Sequence, residues 1–279
     1  MRRISSESVY EAVKKLWVEI AFKLPDDVKN RIEAAMREET SPGAREILAQ
    51  ILENAALAEK EKIPLCQDTG FPSVFIGRGQ DVVIEGENLH RSIDRAVLEG
   101  TREGYLRASV AGDPFSRENT CGNIPAVVYS ETIPGDEFRV SVSAKGAGSE
   151  NSSCLAMLKP GEGMQAVKKR VSEHVSKFAA NSCPPLVVGV GIGGTADKAM
   201  LMAKKACLRN LDIDNRREAD FEEELLSEIN SSGIGPGGFG GDTTALAVNV
   251  DTFACHIASL PVAVNINCHA VRRKEILLS

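Results

Sequence analysis

The strongest constraint on this chain is a change in the period of its apolar residues near Pro64. Before that point the repeat is helical. In VYEAVKKLWVEIAFKL, Val9, Val13, Trp17 and Ile20 recur at a spacing that lines one helix face, and Ser5 and Ser6 are candidate caps. A second helix is predicted in PDDVKNRIEAAMREE. A third begins near Ser41-Pro42, where proline suits the first turn, and runs through AREILAQILENAALAEKE.

Beyond Pro64 the texture is of strands and turns. SVFIG and DVVIEG read as extended, and NLHRSIDRAVLEGTREGYL as helix. IPAVVYSETI and FRVSVSAKG read as two strands joined by a turn at Pro134-Gly135-Asp136. GEGMQAVKKRVSEHVSKFAANS is predicted helical, PLVVGVGIGG a buried strand, and TADKAMLMAKKACLRNL and EADFEEELLSEIN two further helices. A glycine-rich stretch, SSGIGPGGFGGDTT, then leads to the extended runs ALAVNV and VAVNINCHAV. Helices first and mixed elements later imply an α+β fold, with a helical part at about 1–62 packed on a mixed part at about 63–279.

A net charge of −6, with basic residues interspersed among acids, argues against a nucleic-acid surface. The N-terminus is basic and then amphipathic, unlike a signal peptide. PLVVGVGIGG is too short to span a bilayer. The chain reads as cytoplasmic.

Gly189, Gly191 and Gly194 satisfy G-x-G-x-x-G between a predicted strand and helix, and Asp212 or Asp214 lies near the distance of a ribose-binding acid. No convincing second strand ends in either acid, and no repeating βα pattern surrounds the motif. These glycines are better read as permitting close approach of a ligand or of a neighbouring helix. GIGPGGFGG lacks the Gly-Lys-Ser/Thr ending of a nucleotide loop and is either an anion cradle or a mobile connector. SAKGAGSENSSC likewise presents amides to a carboxylate or merely turns. His90 and His174 fall in helical patterns, where surface placement is the default. His256 and His269 each follow a cysteine, without metal-ligand spacing.

Seven cysteines include no C-x-x-C pair, and in a reducing compartment disulfides are not expected. Cys207, inside a helical pattern, and Cys154, in SSCLAML, read as core packing. Four others occupy edge positions: Cys66 at a predicted strand end before Gln-Asp-Thr-Gly, Cys121 in NTCGN, Cys183 before Pro184-Pro185, and Cys268 at the end of VAVNIN. Spacing alone does not choose three from these four. Three thiolates at strand mouths would suit a cubane iron–sulfur cluster with one iron left open as a Lewis acid.

Taken together, CQDTG, KGAGSEN, NSCPP with GVGIGGTADKA, and GFGG with HIASLP and NCHAVRR resemble the class I, iron–sulfur-dependent fumarate hydratases. The large subunits of tartrate dehydratases belong to the same group. The resemblance is ordered along the chain from about residue 40 to the end. It implies that Cys66, Cys183 and Cys268 are the ligands of a [4Fe–4S] cluster, and leaves Cys121 out. Gln67 and Asp68 match substrate-contacting positions, with Asp68 as the acid that helps the hydroxyl leave. Arg107, in GYLRASV, matches an arginine that pairs with a substrate carboxylate. Gly148, in KGAGS, matches a backbone substrate contact, and His256 an active-site histidine. Ala147 stands where the family more often has a third glycine.

Single-chain members of that family continue into a second domain that carries the general base. This chain stops at Ser279, just past the Cys268 motif. The resemblance therefore implies an α subunit that needs a separate β subunit, in an α2β2 assembly built on an α dimer. The implied reaction on a small dicarboxylate is hydration of fumarate to L-malate first, and dehydration of L-tartrate second. Two readings from other classes stand beside it: a dinucleotide-dependent oxidoreductase using GVGIGG, and a cluster-holding scaffold without turnover.

Overall fold

The computed structural model describes residues 1–213 and 217–278. The chain divides into two compact units, each built from separated stretches of sequence.

The first unit comprises Met1–Pro25, Ala55–Ala147 and Arg272–Ser279. Its four-stranded sheet has the spatial order β10 (Arg272–Leu278), β5 (Phe138–Lys145), β2 (Phe71–Gly79), β4 (Val127–Ile133). The first two pairings are antiparallel and β2–β4 is parallel. A separate parallel pair joins β1 (Arg2–Ser5) to β3 (Val82–Glu85). Helix α1 (Ser6–Phe22) buries the predicted stripe of Val9, Val13, Trp17 and Ile20. That stripe shares a core with Val74 and Ile76 of β2, Val140 and Val142 of β5, and Ile93 and Val97 of α4 (Leu89–Glu103). The Ser5 hydroxyl caps α1 by accepting the Ser8 N–H at 3.0 Å, whereas the Ser6 hydroxyl accepts the Glu87 N–H.

The second unit comprises Asp26–Asn54 and Gly148–Val271. Its sheet has the order β6 (Cys154–Leu158), β9 (Leu260–Asn267), β7 (Leu186–Gly193), β8 (Ala245–Phe253), with β7 and β8 parallel and the other pairings antiparallel. Strand β7 is apolar throughout because both its faces are covered. Leu186, Val188 and Val190 meet Val171 and Val175 of α6 (Gly163–Phe178) and Leu225 and Ile229 of α8 (Ala219–Asn230). The alternate residues Gly189 and Gly191 lie under α7 (Ala196–Ala206). A Cβ there would stand 2.1 Å from the Ala203 and Ala199 carbonyl oxygens respectively. Two glycines of GVGIGG thus serve helix-on-strand approach. Both lie inside the strand, before the turn where a dinucleotide loop places its first glycine. Asp212 is exposed in the loop after α7, and Asp214 lies outside the described residues.

The three N-terminal helices are shared between the units: α1 belongs to the first, α2 (Asp26–Glu38) to the second, and α3 (Pro42–Glu61) begins in the second and ends in the first. Strands β4 and β5 follow one another through the predicted turn but are not paired, because β2 lies between them. The turn instead receives the end of β2: Gly79 N–H donates to Glu137 O at 2.7 Å, and Asp81 N–H to Gly135 O at 3.0 Å. Strands β1, β6 and β10 were not anticipated, and Cys154 opens β6 half-buried rather than in the core. His174 is buried at 9% exposure, not on the surface, and its ring lies 4.8 Å from that of Phe178. No helix among the described residues is long and apolar enough to cross a membrane.

Candidate active site

In the first unit, Cys66 lies in the loop between α3 and β2 and not at a strand end, since β2 opens only at Phe71. The Leu65 N–H donates to Ala21 O at 2.8 Å, tying this loop to α1. Cys66 is half-buried, and its sulfur accepts the Asp68 N–H at 3.4 Å. Both carboxylate oxygens of Asp68 are held by main-chain amides. Oδ1 accepts the Gly70 N–H and Oδ2 the Ala147 N–H, each at 2.9 Å. Close packing makes this possible. Gly70 has φ +80°, and a Cβ there would meet the Lys145 carbonyl carbon at 2.6 Å; one at Gly146 would meet Asp68 Oδ2 at 2.9 Å. Arg272 Nη1 donates to the carbonyls of Asp68 at 2.8 Å and Thr69 at 3.0 Å. Gln67 is exposed.

Arg107 is also exposed, in the loop after α4, and no carboxylate pairs with its guanidinium among the described residues. Its main chain is fixed by Asn123, which is fully buried. Asn123 Nδ2 donates to Arg107 O at 3.0 Å and Oδ1 accepts the Ser109 N–H at 2.6 Å. Cys121 sits exposed in the same loop with φ 60°, its N–H bonded to Asn119 Oδ1 at 2.7 Å.

In the second unit, Cys183 terminates the short 3-10 helix Ala179–Ser182 in a left-handed conformation (φ 54°, ψ 66°), before the cis Pro184-Pro185 bond. Cys268 directly follows β9. The residue after it, His269, places ring Nδ1 3.0 Å from the Cys183 carbonyl oxygen, so Nδ1 carries the proton and donates. The loops of Cys183 and Cys268 are thereby held together. His256 lies exposed in the turn between β8 and β9, where its Nδ1 accepts the Ala258 N–H at 3.1 Å. A neutral His256 ring therefore presents Nε2–H outward. Gly148 is exposed in the short helix α5 (Ala147–Glu150), and its carbonyl accepts the Ser152 hydroxyl at 3.3 Å.

The glycine-rich loop is anchored rather than mobile. Glu39, 1% exposed, accepts the N–H groups of Asp242 at 2.9 Å and Thr243 at 3.1 Å. Asp242 reciprocates by accepting the Thr40 N–H at 2.9 Å and hydroxyl at 2.6 Å, which hold its carboxyl below the usual carboxylate range. Glu39, Asn123 and Arg272 carried no sequence signal of these roles. Arg272 did fall inside the NCHAVRR motif.

The first unit thus gathers Cys66, Gln67 and Asp68 on one loop and Arg107 on another. The second joins Cys183 to Cys268, with Gly148 and His256 on further loops. Among the described residues, no three His, Cys, Asp or Glu side chains converge to cage a single metal ion. A cubane cluster makes a different demand, because each thiolate binds a different iron and its ligands stand farther apart. Soft thiolates suit iron–sulfur chemistry. The Cys66 sulfur already accepts an amide N–H, a feature that fits a sulfur ligand drawing hydrogen bonds.

The family model described as fumarate hydratase (Fumerase) matches residues 10–277. A Methanocaldococcus jannaschii protein named "Putative L(+)-tartrate dehydratase subunit alpha" is 42% identical over 274 residues, covering 95% of each chain. The L(+)-tartrate dehydratase subunit alpha of Escherichia coli O157:H7 is 31% identical over 273 residues, 96% of this chain and 90% of that one.

Proposed function

This chain belongs to the fumarate hydratase (Fumerase) family, and from that premise we propose that it is the α subunit of an iron–sulfur hydro-lyase whose substrate is L-tartrate. The observation that carries this reading is the 42% identity, over 95% of both chains, to a relative named as a tartrate dehydratase α subunit. Sequence motifs alone put fumarate first. Those motifs supply cysteines and generic carboxylate contacts, which every 2-hydroxydicarboxylate demands equally, so they do not discriminate between the two substrates.

Cys66, Cys183 and Cys268 are the residues that would hold a [4Fe–4S] cluster, which when bound supplies Lewis acidity toward a hydroxyl and its neighbouring carboxylate. Arg107 offers an exposed guanidinium, without a carboxylate partner among the described residues, to a substrate carboxylate. Gln67 and the Gly148 backbone add polar contacts, and His256 offers Nε2–H as a donor. Asp68, held on both oxygens by main-chain amides, is the group we assign to the leaving hydroxyl. In the reaction the C2–O bond breaks and its oxygen departs as water with a proton from Asp68. The C3 proton passes to a base on a β subunit, and the enol formed becomes oxaloacetate. The relatives' designation as "subunit alpha" supports such a partner.

The test is anaerobic reconstitution with iron and sulfide, alone and with the β chain. The visible absorption of an iron–sulfur chromophore is expected in the parent protein and in C121A, and is expected to vanish in C66A, C183A and C268A. With the β chain present, kcat/KM for L-tartrate should exceed that for malate by at least about tenfold. The reverse ratio would return fumarate and malate to first place. Absence of any chromophore would sink the cluster assignment.

A further inference from the structure

Arg272 is 4% exposed at the first position of β10, and a guanidinium is costly to bury without partners. Its Nη1 donates to two consecutive main-chain carbonyls, those of Asp68 and Thr69. The Thr69 carbonyl belongs to the same planar peptide as the Gly70 N–H, and in a trans peptide the two point in opposite directions. That N–H is the donor to Asp68 Oδ1. Holding the Thr69 oxygen therefore aims the Gly70 N–H at the carboxylate.

The surrounding geometry leaves the loop little freedom. Arg272 pairs with Ala144 in the β10–β5 register, Pro72 pairs with the same Ala144 from β2, and Phe71 pairs with Lys145. The arginine thus reaches across the end of β5 to the lead-in of β2. Asp68 Oδ2 is meanwhile fixed by Ala147 N–H, beyond a Gly146 too tightly packed for a Cβ.

We propose that Arg272 is the positioning residue for Asp68, acting through the Thr69–Gly70 peptide to fix the carboxylate in one orientation. Its catalytic consequence rests on the hydro-lyase reading; its structural content does not. Lysine, without the planar fork, is a partial substitute.

Two readouts test it in the full-length chain. Amide hydrogen exchange of the isolated protein is expected to accelerate at Gly70 by about tenfold or more in R272Q, and less in R272K, as a charge-assisted hydrogen bond is lost. In the reconstituted enzyme with its β chain, R272Q is expected to lower kcat up to about 100-fold with little change in KM, since a misplaced acid harms the chemical step. Added to D68N, R272Q should cost little more, because its target is already gone. Unchanged Gly70 exchange in both Arg272 variants would overturn the proposal, as would kcat losses that multiply in the double variant. Should R272Q not fold, R272K carries both measurements. If exchange accelerates but no hydro-lyase activity exists, the positioning stands and the functional reading falls.

Discussion

A methyl group added at Gly191 would sit 2.1 Å from the Ala199 carbonyl oxygen, which is backbone inside α7 and cannot rotate away. G191A is expected to destabilise the protein by about 3 kcal/mol, measured by urea denaturation, through overpacking. G161A, where nothing lies within 4 Å of the added Cβ, serves as the control. The glycine spacing was visible in the sequence, but the neighbour that requires it, a helix and not a pyrophosphate, is a tertiary fact. His174 makes the same point for titration. Burial pulls its pKa below the ordinary value of 6.5, although Nε2 lies 2.7 Å from the Ser152 carbonyl oxygen. With the folded-state pKa depressed, its contribution to stability is complete above about pH 6.5 and is lost as pH falls through the folded value. Thermal melts across that window should show Tm falling toward acid. H174Q, which does not titrate there, should flatten the slope, and an unchanged slope would remove His174 as its source. Helical periodicity placed this residue on α6 correctly but could not say which face is covered.

The elements most readily read were those buried on one continuous face, such as α1, or on both, such as β7. The missed strands share a different character. β6 alternates half-buried with exposed positions, and its Met157 is 57% exposed; β10 opens with Arg-Arg-Lys-Glu. Edge strands gain their order from a partner's hydrogen bonds, so their own pattern is weak. The cysteines proposed to hold a cluster show the same division. Their loop-like settings were legible, but the link that joins the Cys183 and Cys268 loops runs through a His269–carbonyl bond between distant residues. The reciprocal clasp of Glu39 and Thr40 with Asp242 and Thr243 is likewise a pairing of two loops far apart in sequence. E39A would strand partly buried amides of the glycine-rich loop at a cost of about 1–2 kcal/mol. Limited proteolysis is expected to begin cutting within residues 233–243 of that variant, and resistance equal to the parent would show that the loop is held by other contacts.

Across the whole molecule, the first unit is closed only by the last strand of the chain. Every residue of β10 from Arg272 to Leu278 has a register partner on β5, from Ala144 to Phe138, and Ile276 and Leu278 pack against the core built on α1. Arg2 adds a tie from the opposite terminus by donating to the carbonyls of Asp136 and Leu278. The second unit, by contrast, has all its stretches in place at Val271. A chain truncated after Val271 therefore loses the strand that covers one edge of β5, together with the Arg272 contacts to the Asp68 loop. Amide exchange in β5 and β2 should then accelerate by more than about tenfold, while β7 and β9, whose neighbours are all retained, keep their protection. Equal loss of protection in both sheets would mean that the two cores unfold as one cooperative body. Loss in neither would mean that β10 contributes nothing to the sheet it completes.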